Sequence, residues 1–294
     1  MKRIGIVGSD NSHAIAYSKL INKAKIVGDE ASVVGIWGQD RTRTEEVAGL
    51  GEIPKIYDTF DGMVPDVDIV FVVDRHGDLH APHVLPYLEA GIDAYVDKPI
   101  AISLADVRAM IAAAAKSGSF LTSMSSLRVA PDTDRLADQI ATIGEVRAAQ
   151  FAGPCDFESE YGGPFFYATH VAETALRLLG DEIESLAAHR TGGTVVIDAA
   201  WSGGRQATFT YLTGAAYYFG ATFFGSKGVA TGTIAVDDSG YAEIVKDLLA
   251  AIDSGQRPLT DDQLLTPIAI VRAIQQSLEN NGSRVSIADV VTGS

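Results

Sequence analysis

A single cysteine, Cys155, and two tryptophans are all that this chain of 294 residues holds of either type. One cysteine closes no internal disulfide and lacks the companions that a thiolate metal centre needs, so Cys155 is expected to be a small buried hydrophobe. Basic residues are scarce: 23 Lys and Arg stand against 38 Asp and Glu, a net charge of −15. The mean field at the surface therefore repels phosphate backbones and anionic lipid, which argues against nucleic acid or a membrane surface as partner. Long apolar runs are missing as well. The longest, Ala109 to Ala115, falls far short of the roughly 20 residues that cross a bilayer. The stretch after Arg3 is broken by Asp10, too soon for a secretory core of roughly 7–15 residues. A cytoplasmic location is the expectation. There is no internal repeat, low-complexity tract or long Pro/Gly/Ser linker.

What is present is an ordinary globular composition, 47% hydrophobic and 21% charged, in a length that suits about two domains. Short β-branched runs, Ile4 to Val7, Val33 to Ile36, Ile69 to Val73, Ala94 to Val96 and Phe120 to Thr122, alternate with amphipathic stretches through residue 124. Such runs read as buried parallel strands. Before the last of them, Leu104, Val107, Ile111 and Ala114 recur at helical spacing, with Ser103 where an N-cap belongs. Later the pattern changes. Ala207, Phe209 and Tyr211 alternate with Gln206, Thr208 and Thr210 in a half-exposed antiparallel strand over Arg205 to Leu212. Glu184 to His189 and Ala216 to Phe224 are further strand candidates, and Tyr241, Ile244, Val245, Leu248, Leu249 and Ile252 fit one helix face. The predicted fold class is α/β: a doubly wound parallel sheet in residues 1–124, then an α+β domain in 125–294 with a largely antiparallel open sheet. A tight hinge is expected near residues 124–145.

The first strand runs into Gly8-Ser9-Asp10-Asn11-Ser12-His13 and then a helical stretch. This is where a Rossmann domain carries G-x-G-x-x-G for a dinucleotide. Only the first glycine is kept; Asp10 and His13 take the other two positions. In an open α/β sheet the ligand lies beyond the carboxyl ends of the strands. His13, Asp74, Arg75, His76 and Lys98 all follow directly after predicted strands, so they are expected to line one crevice. His170 and Glu173 lie three apart on a helix predicted to end near Leu179, with Phe166 one turn earlier. A carboxylate there would orient the imidazole as a general base. Asp74, His76, Asp78, His80 and His83 are dense enough to raise the question of a metal, but their spacing matches no zinc motif and none is expected. Phe165, Phe166, Tyr167 and the Tyr217-Tyr218-Phe219 run serve either as core or as the lining of a sugar pocket.

Several segments together carry a family resemblance: Asp68 to Val73 followed by His80, Ala90-Gly91-Ile92, Asp97-Lys98-Pro99, Ser126-Leu127-Arg128 through Pro131, Gly144-Glu145-Val146, Gly162-Gly163 through His170, and Gly225-Ser226-Lys227-Gly228. The chain resembles the glucose-fructose oxidoreductase / inositol dehydrogenase (Gfo/Idh/MocA) family. Asp74-Arg75-His76 stands where the family has Thr-Pro-Asn, Asp97 replaces the glutamate of E-K-P, and Phe166 replaces an acidic residue.

The resemblance implies an NAD(P)-dependent dehydrogenase moving hydride between a nicotinamide and a sugar, polyol or related secondary alcohol. It implies that Gly8, Ser9, Asp10, Asn11, His13, Gly38, Arg41, Arg43, Asp74, Arg75, His80 and Asp97 serve the cofactor. Lys98, Arg128, Phe166 and His170 would meet the substrate, with Lys98, His170, Glu173 and His76 in the chemistry. Gly38 offers no carboxylate to a ribose, and Arg41 and Arg43 follow it, so NADP is expected over NAD. The resemblance also implies a homodimer or homotetramer built on the open sheet face, with Tyr211, Tyr217 and Phe219 as cover. The alternatives are a non-redox lyase or epimerase using His13, His76 and Lys98 for proton transfer, and a ligand sensor without turnover.

Overall fold

The computed structural model describes residues 1–293. It comprises two units: Met1–Met124 with Tyr241–Leu264, and Ser125–Gly240 with the chain from Leu265 onward. A single cut after residue 124 is thus corrected by one returning segment. The apolar face at Tyr241, Ile244, Val245, Leu248 and Leu249 is buried. Periodicity marks such a face as helical without naming the partner that covers it.

In the first unit, β1 (Lys2–Val7), β2 (Ala31–Trp37), β3 (Lys55–Ile56), β4 (Ile69–Val72), β5 (Asp93–Val96) and β6 (Leu121–Thr122) form a six-stranded sheet in the order β3-β2-β1-β4-β5-β6. Every pairing is parallel. Ile4, Ile6, Val33, Ile36, Val70 and Val72 are fully buried, as strands covered on both faces require. The connecting helices are α1 (His13–Ser18), which runs on into a π-helical turn, α2 (Arg41–Gly51), α3 (His80–Glu89) and α4 (Leu104–Ser117). Local chemistry fixes their ends. Asp40 caps α2 by accepting the Arg43 N–H at 2.6 Å, and Ser103 caps α4 by accepting that of Asp106 at 3.1 Å. In α4 the inward face is Val107, Met110 and Ala114, whereas Ile111 is half-exposed. Because all strands are parallel, their carboxyl ends share one edge, and the strand order reverses between β1 and β4. That reversal is the switch point where doubly wound folds bind ligands.

The second unit holds α5 (Pro131–Ile140), β7 (Val146–Pro154), α6 (Phe165–Leu179), β8 (Ile183–Thr191), β9 (Thr194–Trp201), β10 (Gln206–Leu212), β11 (Gly220–Gly225) and β12 (Val229–Thr233). Then come α7 (Asp238–Ser254) and α8 (Asp261–Glu279), each shared with the first unit, β13 (Val285–Ser286) and α9 (Ile287–Thr292). The sheet order is β12-β11-β7-β10-β9-β8-β13. Its pairings are antiparallel except one: β10 lies antiparallel to β9 but parallel to β7. Phe151, Phe209 and Phe223 meet edge to face on the covered side. The strand expected from Ala216 begins only at Gly220, since residues 213–218 form an exposed loop. Tyr211 and Phe219 are buried, which corrects their expected role as surface cover. Cys155 is buried, and burial pushes its thiol up to about 12, so it remains an unreactive thiol. Among the described residues no helix is long and apolar enough to cross a membrane.

Candidate active site

Four loops meet at the carboxyl edge of the first sheet: residues 8–12 after β1, 38–40 after β2, 73–79 after β4 and 97–103 after β5. Gly8 turns at φ +100°, and a Cβ there would lie 2.6 Å from the Asp74 nitrogen. Only glycine lets the first loop approach the third so closely. Gly38 has no such freedom to give: a Cβ would meet Ser9 Oγ at 2.0 Å and Thr44 Oγ1 at 2.5 Å. Those hydroxyls hydrogen-bond each other at 2.9 Å, and Arg43 Nε donates to the Ser9 carbonyl at 3.2 Å. The space of a ribose-binding carboxylate is thus filled by neutral hydroxyls with a guanidinium beside them. Arg43 also pairs with Glu46, and Arg41 with Glu45 on the same helix.

Two buried carboxylates tie the loops together. Asp74, 1% exposed, accepts Gln39 Nε2 at 2.6 Å and faces His83 Nδ1 at 2.8 Å. His80 is fully buried, with its ring nitrogens 2.8 Å from the carbonyls of Asp74 and Pro99, so it clamps the third loop to the fourth. Asp97, also 1% exposed, has Oδ2 at 2.5 Å from His13 Nδ1. Burial alone would push its carboxyl up, but the His13 imidazole, with Lys98 and His80 nearby, holds it below the usual carboxylate value. The ring of Tyr241 lies 4.9 Å from that of His13. Lys98, the next residue, is buried at the end of β5 with a cis peptide to Pro99.

Asp10 lies at the rim, where its oxygens accept the Arg75 N–H at 3.1 and 3.4 Å. Partial desolvation, with the Asp74 charge, raises its carboxyl. His76 turns instead to Asp78 on its own loop, at 2.5 Å. The histidine-rich stretch is therefore spent on separate partners, and among the described residues no group of His, Cys, Asp and Glu is arranged to hold a metal.

In the second unit His170 and Glu173 are buried on α6. Glu173 Oε2 accepts the Ser125 N–H at 2.7 Å, and His170 Nδ1 meets Ser125 Oγ at 2.6 Å. Arg128 Nη1 donates to the Glu173 carbonyl at 3.1 Å, and burial lowers its guanidinium below the ordinary value. Phe166 lies in an aromatic group with Tyr161 and Tyr167 and brings no charge. Ser125, Gln39, Tyr95 and Tyr241 were not singled out as site residues from the sequence; of these only Tyr241 carried a signal, its place on an apolar helix face.

A doubly wound unit with a glycine turn after its first strand and a buried lysine after its fifth is a Rossmann-like arrangement. Residues 2–124 match the Gfo/Idh/MocA model, described as an oxidoreductase family with an NAD-binding Rossmann fold. Trans-1,2-dihydrobenzene-1,2-diol dehydrogenase of Mus musculus is 31% identical over 131 residues, 43% of this chain and 39% of that protein. The Bos taurus enzyme is 27% identical over 221 residues, 68% of this chain and 66% of that protein. The matched region spans about two-fifths of the mouse relative's length. Among solved structures, a probable dehydrogenase from Thermotoga maritima superposes with a TM-score of 0.86 at 20% identity, covering 98% of this chain and 99% of that one. Scyllo-inositol dehydrogenase from Lactobacillus casei with bound NAD(H) and scyllo-inositol gives 0.84 at 17%, covering 98% and 99%. At these identities the likeness is one of fold.

The lowered carboxyl of Asp97 has a consequence for stability. A group whose folded value lies below its unfolded one, ~3.9 for aspartate, stabilises fully above that value and stops doing so as pH falls through the folded one. Urea unfolding of Asp97→Asn between pH 6 and pH 3 is expected to show a shallower loss of stability with acid than the parent.

Proposed function

We propose that the chain is an NAD(P)-dependent dehydrogenase oxidising a secondary alcohol on a sugar, polyol or cyclic diol. The observation that carries this reading is the buried Lys98 beside the ionised Asp97 at the switch-point edge. The match of residues 2–124 to the oxidoreductase model supports it, as do the similar dihydrodiol dehydrogenases. The residues fit a dinucleotide. The Gly8 turn opens the loop, Ser9 and Asn11 are buried polar groups lining it, and Asp10 spends its charge on the Arg75 amide. Gly8 to Asn11, Gly38, Arg41, Arg43 and Arg75 would hold the cofactor, which supplies a hydride acceptor. Lys98 presents its ammonium to the substrate hydroxyl and favours the alkoxide as the C–H bond breaks.

NADP is the preferred form in this reading, because hydroxyls fill the Gly38 site and Arg43 lies beside the Ser9 carbonyl. Calorimetry is expected to give tighter binding of NADP than of NAD, with Arg43→Ala weakening NADP about tenfold, ~1.4 kcal/mol, and leaving NAD little changed. With a turned-over alcohol in hand, Lys98→Ala lowers kcat roughly 10²–10⁴-fold with dinucleotide affinity retained. Absence of any thermal shift with either dinucleotide overturns the reading.

The open face of the second sheet would pair copies of the chain as a dimer or tetramer. Val196, Phe224 and Val229 are its exposed apolar residues, at 41%, 38% and 60%. Light scattering is expected to give a mass well above the 31.1 kDa of one chain.

A further inference from the structure

We propose that His13 is the proton acceptor of the strand-end site, oriented by Asp97. This deepens the dehydrogenase reading and rests on it.

The partner of His13 dictates its tautomer. An ionised carboxylate only accepts. Asp97 Oδ2 at 2.5 Å from His13 Nδ1 therefore places a proton on Nδ1, and in the neutral ring the lone pair is on Nε2. His13 Nε2 makes no hydrogen bond among the described residues, and the side chain keeps 12% of its surface open to solvent.

The dyad is held on every side. The His13 N–H donates to Asn11 Oδ1 at 3.3 Å, and Tyr241 packs on the ring. Asp97 donates its own N–H to the Val72 carbonyl at 2.8 Å. Its Oδ1 lies 3.3 Å from the Tyr95 hydroxyl, which accepts that of Tyr17 at 2.9 Å. The ionisable groups around the pair are Lys98, His80, Tyr17, Tyr95 and Tyr241.

In the oxidative direction the hydroxyl proton of the alcohol passes to His13 Nε2. The carbon–oxygen bond becomes double, and the hydride on that carbon goes to the oxidised nicotinamide. The imidazolium so formed is neutralised by Asp97, as in other His–carboxylate pairs. Asp97 and Lys98 are consecutive, so one strand end would set both the base and the ammonium that polarises the same oxygen.

Nitrogen-15 NMR of the imidazoles tests the tautomers without cofactor or substrate. Expected is Nδ1–H at His13, with Asp97→Asn moving the His13 proton to Nε2. In turnover, His13→Gln is expected to lose roughly 10²–10⁴-fold in kcat together with the acid limb of the pH profile, and added imidazole restores part of the rate. Asp97→Asn shows the same loss of the limb with dinucleotide affinity kept. An Nε2–H tautomer at His13, or a His13→Gln variant that keeps its acid limb and a rate within a few-fold of the parent, overturns the proposal. The dehydrogenase reading fails separately, on an absent dinucleotide thermal shift with the dyad signals intact.

Discussion

Everything at the carboxyl edge of the first sheet depends on two carboxylates taken almost wholly out of water. An isolated buried charge is untenable, so each must find donors. For Asp74 they come from the loop after β2 and from α3, and for Asp97 from the start of α1. Gln39 and His13 sit on other strand connections than the carboxylates they meet, so satisfying those charges fixes one loop against another. His80 completes the lattice through two carbonyls. The fingerprint glycines of an ordinary dinucleotide turn leave the backbone bare for a ligand; here most of that turn is braced by side chains.

This bracing gives the departures from the family pattern a common cause. Asp97 in place of glutamate is one methylene shorter, and His13 occupies a position where a glycine would leave nothing to meet it. The pair is coherent only together. The same holds for Asp74, whose carboxylate is matched by Gln39 and His83 rather than left to repel a phosphate. In the second unit Phe166 brings no charge, and His170 Nδ1 meets the hydroxyl of Ser125.

The parallel strands were legible because each is a short buried run closed by a polar turn, and the start of α4 because Ser103 is a local signal. The largely antiparallel character of the second sheet was legible from the alternation at Ala207, Phe209 and Tyr211, but the parallel pairing of β10 with β7 was not. What escaped were contacts between residues far apart in the chain: 84 residues separate His13 from Asp97 and 45 separate Ser125 from His170. No periodicity encodes such a pairing. The candidate residues could be named from their places after strands, but not sorted into partners. His76 and His83, close neighbours in sequence, turn to Asp78 and Asp74 respectively.

The return of residues 241–264 to the first unit also sets an order of events during synthesis. The sheet strands are complete once residue 122 is made, yet Tyr17 and His13 lack the Tyr241 ring until a further stretch of more than a hundred residues has been added. At roughly 5–20 residues per second that interval is on the order of ten seconds. During it the nascent first unit displays an apolar surface that only its own later segment covers. Chaperone capture should therefore be strongest on chains arrested between residues 124 and 241, and should fall once residue 264 clears the ribosome.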